Sequence, residues 1–385
     1  MTEGPGARPR AAALDTLLEP KGSRMSNQAS SGHTHGQPSV TDVLARFVRD
    51  ARWDDIPLAV RHEARRSLVN YFAVALAGSA DPAIEKAVAV YGRFRAGTDA
   101  GLVGRAERTD MLNGAALNAM SANVHDFDDT HLPTIIHPSA PVAAALFALA
   151  ESSRLSGEQL LLAFVLGVEI ECRLGNAISP GHYQRGWHIT STCGVFGAAA
   201  GAAKAMSLDA RRVAWAFGNA SAQSSGLVET LGSMSKSISV GNAARNGLLS
   251  ALLAADDFSG PAQPLEGPRG FLRVTADHPD IAALTAALGE DWALLSNTYK
   301  PYPCGVVLNP VIEACLELSR AMCGTGGMNE MQGTAAAPEA RGEPWSIGDI
   351  ERIELTGHPL LRERTDRPGV LTGREAQVSA QHAVA

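Results

Sequence analysis

"ITSTCGVFGAAAGAAKAM", residues 189–206, decides the fold. Its apolar residues continue without the strict alternation of a half-buried strand, and they are almost all small. Gly194, Gly197 and Gly201 fall on one face at helical spacing. A helix with such a face buries itself by close approach to its neighbours, not by inserting large rings. The whole chain has this character. Of its 385 residues 45% are hydrophobic but only 5% are aromatic, so Ala and Gly supply much of the core.

Working outward, helices precede and follow this stretch. "SVTDVLARFVRDARWDDIP" opens the first, with Ser39 or Thr41 as cap and Val43, Leu44, Phe47 and Val48 at helical spacing. Further helices are expected over 57–78, 81–94, 109–127, 139–151, 156–173, 192–206, 209–225, 241–255 and about 278–288. Residues 39–295 therefore read as one large all-helical domain. Residues 1–38 are rich in Gly, Pro, Ser and Arg and read as a disordered tail, with Met25 an alternative start. From 296 the character changes. A helix at 306–323, a low-complexity loop over about 324–346 and an alternating "IERIELTGH" at 350–358 suggest a smaller α+β domain, 296–385. The abrupt end at "SAQHAVA" reads as truncation, so this domain is expected to be incomplete.

Composition excludes several functions. The net charge of −7 lacks the basic surface that nucleic acid needs. No apolar run reaches the roughly 18 residues of a membrane span, and the start has no secretory h-region. Five Cys (172, 193, 304, 315 and 323) without a C-x-x-C fit free thiols in a reducing, cytoplasmic setting.

The chemistry concentrates before three helices. "HDFDDTHLPTIIHP", 125–138, puts His137 before "SAPVAAALFALAE". His188 precedes residues 189–206. Lys236 precedes "SISVGNAARNGLLSALLAA". Helix starts carry unpaired N–H groups and attract anions. Two imidazoles and an ammonium brought together would suit a small polycarboxylate and proton transfer near neutral pH. Asp126, Asp128, Asp129, His131 and His137 also have the donor types of a divalent-metal site. In a third reading Asp128 and Asp129 are merely solvated or cap a turn. "KPYPCG", 300–305, adds Lys300 and Tyr302 in a rigid turn. Cys304 has no His or Asp neighbour to activate it.

Taken together, "DFDDTHLPTIIHPSAPVAAALFALAE", "GVEIECRLGNA", "RGWHITSTCGVFGAAAGAAKAMSLD", "GSMSKSISVGNAARNGLLSALLAADDFSGP", "LEGPRGF", "KPYPCG" and "TGREAQVSAQHAVA" resemble the MmgE/PrpD family, over about residues 40–385. That family includes 2-methylcitrate dehydratase and cis-aconitate decarboxylase. The resemblance implies a helical domain with an α+β lid, usually as a homodimer. It implies lyase chemistry on a small carboxylate without metal or organic cofactor. By position, Asp126, Thr130, His137, His188, Lys236 and Lys300 match its pocket. His137, His188 and Asp126 are expected to be catalytic; Thr130, Lys236, Lys300 and His382 are expected to bind substrate. Gly305 and His382 stand where the decarboxylase branch has His and Tyr, and the turn from Asp129 to His137 is slightly longer. These departures count against cis-aconitate decarboxylation and leave the substrate open; dehydration of a small di- or tricarboxylate, 2-methylcitrate first, is the expectation. Epimerisation, a metal-dependent hydrolase and an inactive truncated paralogue are the alternatives.

Overall fold

The computed structural model describes residues 38–322, 348 and 350–385. Residues 1–37, and the whole of the expected loop at 324–346, lie outside the described residues, as do Met25 and Cys323. The chain divides into two units at Tyr299/Lys300.

The first unit is built from α1 (Val40–Asp50), α2 (Leu58–Gly78), α3 (Pro82–Tyr91), α4 (Met111–Asn123), α5 (Ser139–Ala150), α6 (Gly157–Ile178), α7 (Gly181–Gln184), α8 (Ile189–Ala205), α9 (Ala210–Ser221), α10 (Ser235–Ala255) and α11 (Phe271–Thr275). Side-chain caps start them where the sequence supplies Ser or Asp. Ser39 accepts from Asp42 N in α1, Asp110 from Asn113 N in α4, and Asp209 from Arg212 N in α9. Ser156 and Gln159 form a reciprocal capping box at α6. Two short antiparallel pairs complete the unit. β1 (Ala100–Gly101) pairs with β2 (Arg108–Thr109), and β3 (Thr130–His131) pairs with β4 (Asn297–Thr298), Thr130 opposite Thr298. The mainly α class read from the sequence holds.

The core centres on α8, which packs against α5, α6, α9 and α10. Its glycine face does what its spacing predicted. A Cβ on Gly197 would lie 2.9 Å from Gly167 O and 2.6 Å from Glu171 Oε2, both on α6. On α8's other flank, a Cβ on Gly247 of α10 would lie 2.5 Å from Val195 O. Backbone atoms cannot yield to such a contact as a side-chain tip can. Gly247→Ala is therefore expected to lower unfolding free energy by about 1–3 kcal/mol, read by urea denaturation; an unchanged midpoint would show that α8 and α10 can separate freely.

Three elements differ from expectation. Residues 278–288 are not a helix: only Ala282–Leu284 forms a single 3-10 turn. The reason is Arg173 on α6, whose guanidinium takes the carbonyls of Ala283, Leu284, Ala286, Ala287 and Asp291 as acceptors. Those carbonyls would otherwise be available to a helix ladder. α10 begins at Ser235, so Lys236 lies inside its first turn and not before it. Residues 350–358 form no strand, because no strand among the described residues of the second unit pairs with them. Ile350, Ile353 and Leu355 are exposed there.

The second unit contains α12 (Asn309–Met322), α13 (Pro359–Thr365), α14 (Gly373–Ala376) and α15 (Ala380–Val384). Cys304, Leu308 and Ala380 form its small core, with Tyr302, Ile312, Leu361 and Ala383 against them. Cys172, Cys193 and Cys315 are free thiols. No helix among the described residues is long and apolar enough to cross a membrane.

Candidate active site

The turn between α4 and α5 holds the acids. Asp126 adopts a left-handed backbone (φ 52), which a non-Gly residue rarely takes. Its carboxylate accepts from Lys236 Nζ at 2.8 Å, and His137 Nε2 lies 3.7 Å from the same oxygen. All three residues are buried. Burial alone would pull the Lys236 ammonium down, but the charges of Asp126 and Asp128 outweigh it and hold it above its ordinary value.

His137 is fixed from its other nitrogen. Nδ1 lies 2.9 Å from the backbone carbonyl of Asp129 and 3.2 Å from Thr130 Oγ1. A carbonyl only accepts, so Nδ1 carries a proton. Nε2 is then the nitrogen that faces Asp126. The backbone N–H of His137 donates to Thr190 Oγ1 on α8 at 3.1 Å, which ties this turn to the start of that helix.

His188 is the N-cap of α8. Its N–H donates to Gly226 O at 3.0 Å, and Val228 N donates to Gly186 O. Gly226 has φ +131, and a Cβ there would sit 2.0 Å from Ser191 Oγ, so the strand-like pairing that seats His188 requires glycine. Burial, then the positive charge of Lys236, push the His188 imidazole down to about 3, so it is neutral at pH 7.

The structure thus brings together Asp126, Thr130, His137, His188 and Lys236, five of the seven residues singled out in the sequence. Lys300 and His382 belong to the second unit. Lys300 is buried, and His382 is exposed with its N–H on Ser379 Oγ.

Sequence reading missed the depth of the acid cluster. Asp128 and Asp129 are buried, not solvated. Asp128 accepts from Asn123 Nδ2 at 2.7 Å. Asp129 accepts from Ser139 N and Ser139 Oγ, so the anion at the start of α5 is the protein's own carboxylate. The expectation that this helix start is open to a substrate anion is corrected on that ground. Asn297 Nδ2 on β4 also donates to Asp129, at 2.7 Å. Below them Glu171 is wholly buried with neither carboxyl oxygen hydrogen-bonded. Burial, and then the charge of Asp129, push its carboxyl well up. The acidic letters inside the apolar run "GVEIECRLG" were the available signal for it.

Burial also pushes the Asp129 carboxyl up to about 7, against the pull of the hydrogen bonds from Ser139 and Asn297. The ordinary value is 3.8. Between these limits the folded chain holds a proton that the unfolded chain has released. Stability from this group therefore falls as pH rises from about 4 to about 7. Melting temperature is expected to fall less steeply with pH in Asp129→Asn than in the native chain; parallel profiles would refute the assignment.

Asp126, Asp128 and His137 each offer one ligand atom within 4.8 Å of the others, the donor set of a divalent cation. The Lys236 ammonium already neutralises Asp126 there, and a dication would meet its charge at close range.

The model of the MmgE/PrpD N-terminal domain matches residues 42–284. The chain belongs to the MmgE/PrpD family. That match covers the helices that carry the acid turn, His188 and Lys236. Among relatives of this MmgE/PrpD chain, a cis-aconitate decarboxylase-like protein of Aspergillus oryzae is 30% identical over 298 residues, 73% of this chain and 62% of that protein. The cis-aconitate decarboxylase of Aspergillus terreus is 29% identical over 308 residues, 75% of this chain and 62% of that protein. The human cis-aconitate decarboxylase is 30% identical over 220 residues, 54% of this chain and 44% of that protein. The chain spans about three fifths of the length of the two fungal relatives.

Proposed function

We propose that this chain belongs to a cofactor-independent carbon–oxygen lyase for a small di- or tricarboxylate, with 2-methylcitrate the first substrate to test. The observation that carries the reading is the buried Lys236–Asp126 pair beside two imidazoles. A buried, charged ammonium is a counter-charge for a carboxylate and for the enolate-like charge that grows when an α proton leaves. Two imidazoles with different surroundings supply a base for that proton and an acid for the departing hydroxyl. His137 and His188 take the proton-transfer roles, and Asp126 orients Lys236 and His137. Thr130 holds His137 or a substrate oxygen. Lys300 and His382 are assigned to substrate binding from the family resemblance. The protein would act in the cytoplasm as a homodimer.

Decarboxylation of cis-aconitate is the second reading, because the curated relatives carry that name. Gly305 and His382, which depart from the decarboxylase branch, weigh against it.

Proton NMR in deuterated water with EDTA separates these readings. The panel includes 2-methylcitrate and cis-aconitate. Loss of water from 2-methylcitrate is the expected result, abolished in both His137→Ala and His188→Ala. Loss of a carboxylate from cis-aconitate would favour the second reading. Turnover that appears only on adding a divalent metal would replace both with hydrolytic metal chemistry at the Asp/His cluster.

A further inference from the structure

We infer that Ser191 and Ser239 are positioning residues that lock His188 in the Nδ1–H tautomer and leave Nε2 as a lone-pair acceptor. Both hydroxyls converge on one nitrogen. Ser191 Oγ lies 3.0 Å and Ser239 Oγ 3.3 Å from His188 Nδ1. A hydroxyl has one proton to give. Ser191 has the carbonyl of His188 at 2.9 Å as an acceptor, and Ser239 has the carbonyl of Lys236 at 2.8 Å. With both protons spent on carbonyls, each oxygen offers lone pairs to Nδ1. The ring nitrogen between two acceptors must carry the hydrogen.

The three residues come from separate places in the chain and are fixed independently. His188 and Ser191 sit at the start of α8, and Ser239 sits in the first turns of α10. Ser191 is pressed in place by the glycine at 226, whose absent Cβ would overlap its oxygen. All three side chains are buried, so water does not compete freely for Nδ1. No protein group among the described residues hydrogen-bonds His188 Nε2.

The inference deepens the lyase reading and rests on it for its catalytic meaning. A neutral imidazole with a free Nε2 accepts a proton and cannot begin as the acid. The substrate α C–H bond breaks, an N–H bond forms at His188 Nε2, and the electron pair passes to the carboxylate as an enediolate. Its return forms the C=C bond as the β C–O bond breaks. The hydroxyl leaves as water with a proton from His137 Nε2, for which His137 enters the step as the imidazolium, its Nδ1–H on Asp129 O and its Nε2 beside the Asp126 carboxylate. Proton exchange with solvent resets both rings. Base and acid, interchangeable in the sequence, are thereby distinguished.

The test reads the tautomer directly. The full chain is labelled with 15N-histidine, and two-bond proton–nitrogen spectra are recorded at neutral pH. The His188 resonances are identified by their loss in His188→Gln. A pyrrole-type Nδ1 and a pyridine-type Nε2 are expected. In Ser191→Ala/Ser239→Ala the ring is expected to move toward the Nε2–H form that free imidazole side chains prefer. A pyrrole-type Nε2 in the native chain overturns the inference, and so does an unchanged tautomer in the double variant. With a substrate that turns over, kcat is expected to drop about tenfold or more in the double variant, with KM changed less. If no carboxylate reacts, the lyase reading fails while the spectra still decide the tautomer.

Discussion

Replacing Lys236 by Met is expected to cost about 3–5 kcal/mol of unfolding free energy, the range for stripping one partner from a buried ion pair. The ammonium and Asp126 lie 2.8 Å apart, with side chains only 10% and 12% exposed. Methionine matches the stem of lysine but leaves a carboxylate stranded, with Asp128, whose Oδ1 has no hydrogen-bond partner, close by. The double variant Lys236→Met/Asp126→Asn is expected to regain most of the loss, because the stranded charge is gone. Activity is expected to stay abolished in both. Guanidinium titrations of the two singles and the double form a cycle that isolates the pair. If the singles simply add, the pair is no unit and the proposed charge-binding role of Lys236 loses its physical basis.

Arg173→Met is expected to destabilise the chain by a similar or larger amount. The guanidinium pairs with Glu169 at 2.5 Å and supplies hydrogens to five carbonyls between Ala283 and Asp291. Burial already pushes the Glu169 carboxyl up, and Arg173 is the charge that opposes it. Removing Arg173 leaves Glu169 with only the Ala293 N–H and orphans several carbonyls, at about 1–3 kcal/mol for each group left buried and unpaired. Hydrogen exchange by mass spectrometry is expected to show residues 280–292 opening before the rest of the unit. Native-like protection of that segment in the variant would mean that its packing, not Arg173, holds it.

Much of this could be read from the sequence because the helices announce themselves locally. Gly194, Gly197 and Gly201 share a face at any tertiary arrangement, and Asp110, Ser156 and Asp209 cap their own turns. His137, His188 and Lys236 stood out as titratable groups beside helices of small residues. No local pattern dictates their convergence, since Lys236 meets Asp126 across 110 positions. What stayed hidden depends on distant partners. Residues 278–288 look helical until Arg173, more than a hundred positions away, claims their carbonyls. Asp129 looks like an exposed turn acid until Ser139 and Asn297 are seen to close over it. Ser191 and Ser239 look like ordinary helix serines because nothing local marks a hydroxyl that serves another residue's ring.

The pairing of β3 with β4 has a consequence in time. Thr298 Oγ1 donates to Thr130 O, and Asn297 grips Asp129, each across 168 positions. On a ribosome adding about 5–20 residues per second, the acid turn waits on the order of ten seconds for the residues that clamp it. Asp126, His137, His188 and Lys236 are all synthesised before this clamp. A nascent chain would thus carry the acid turn unclamped until the closing strand emerges.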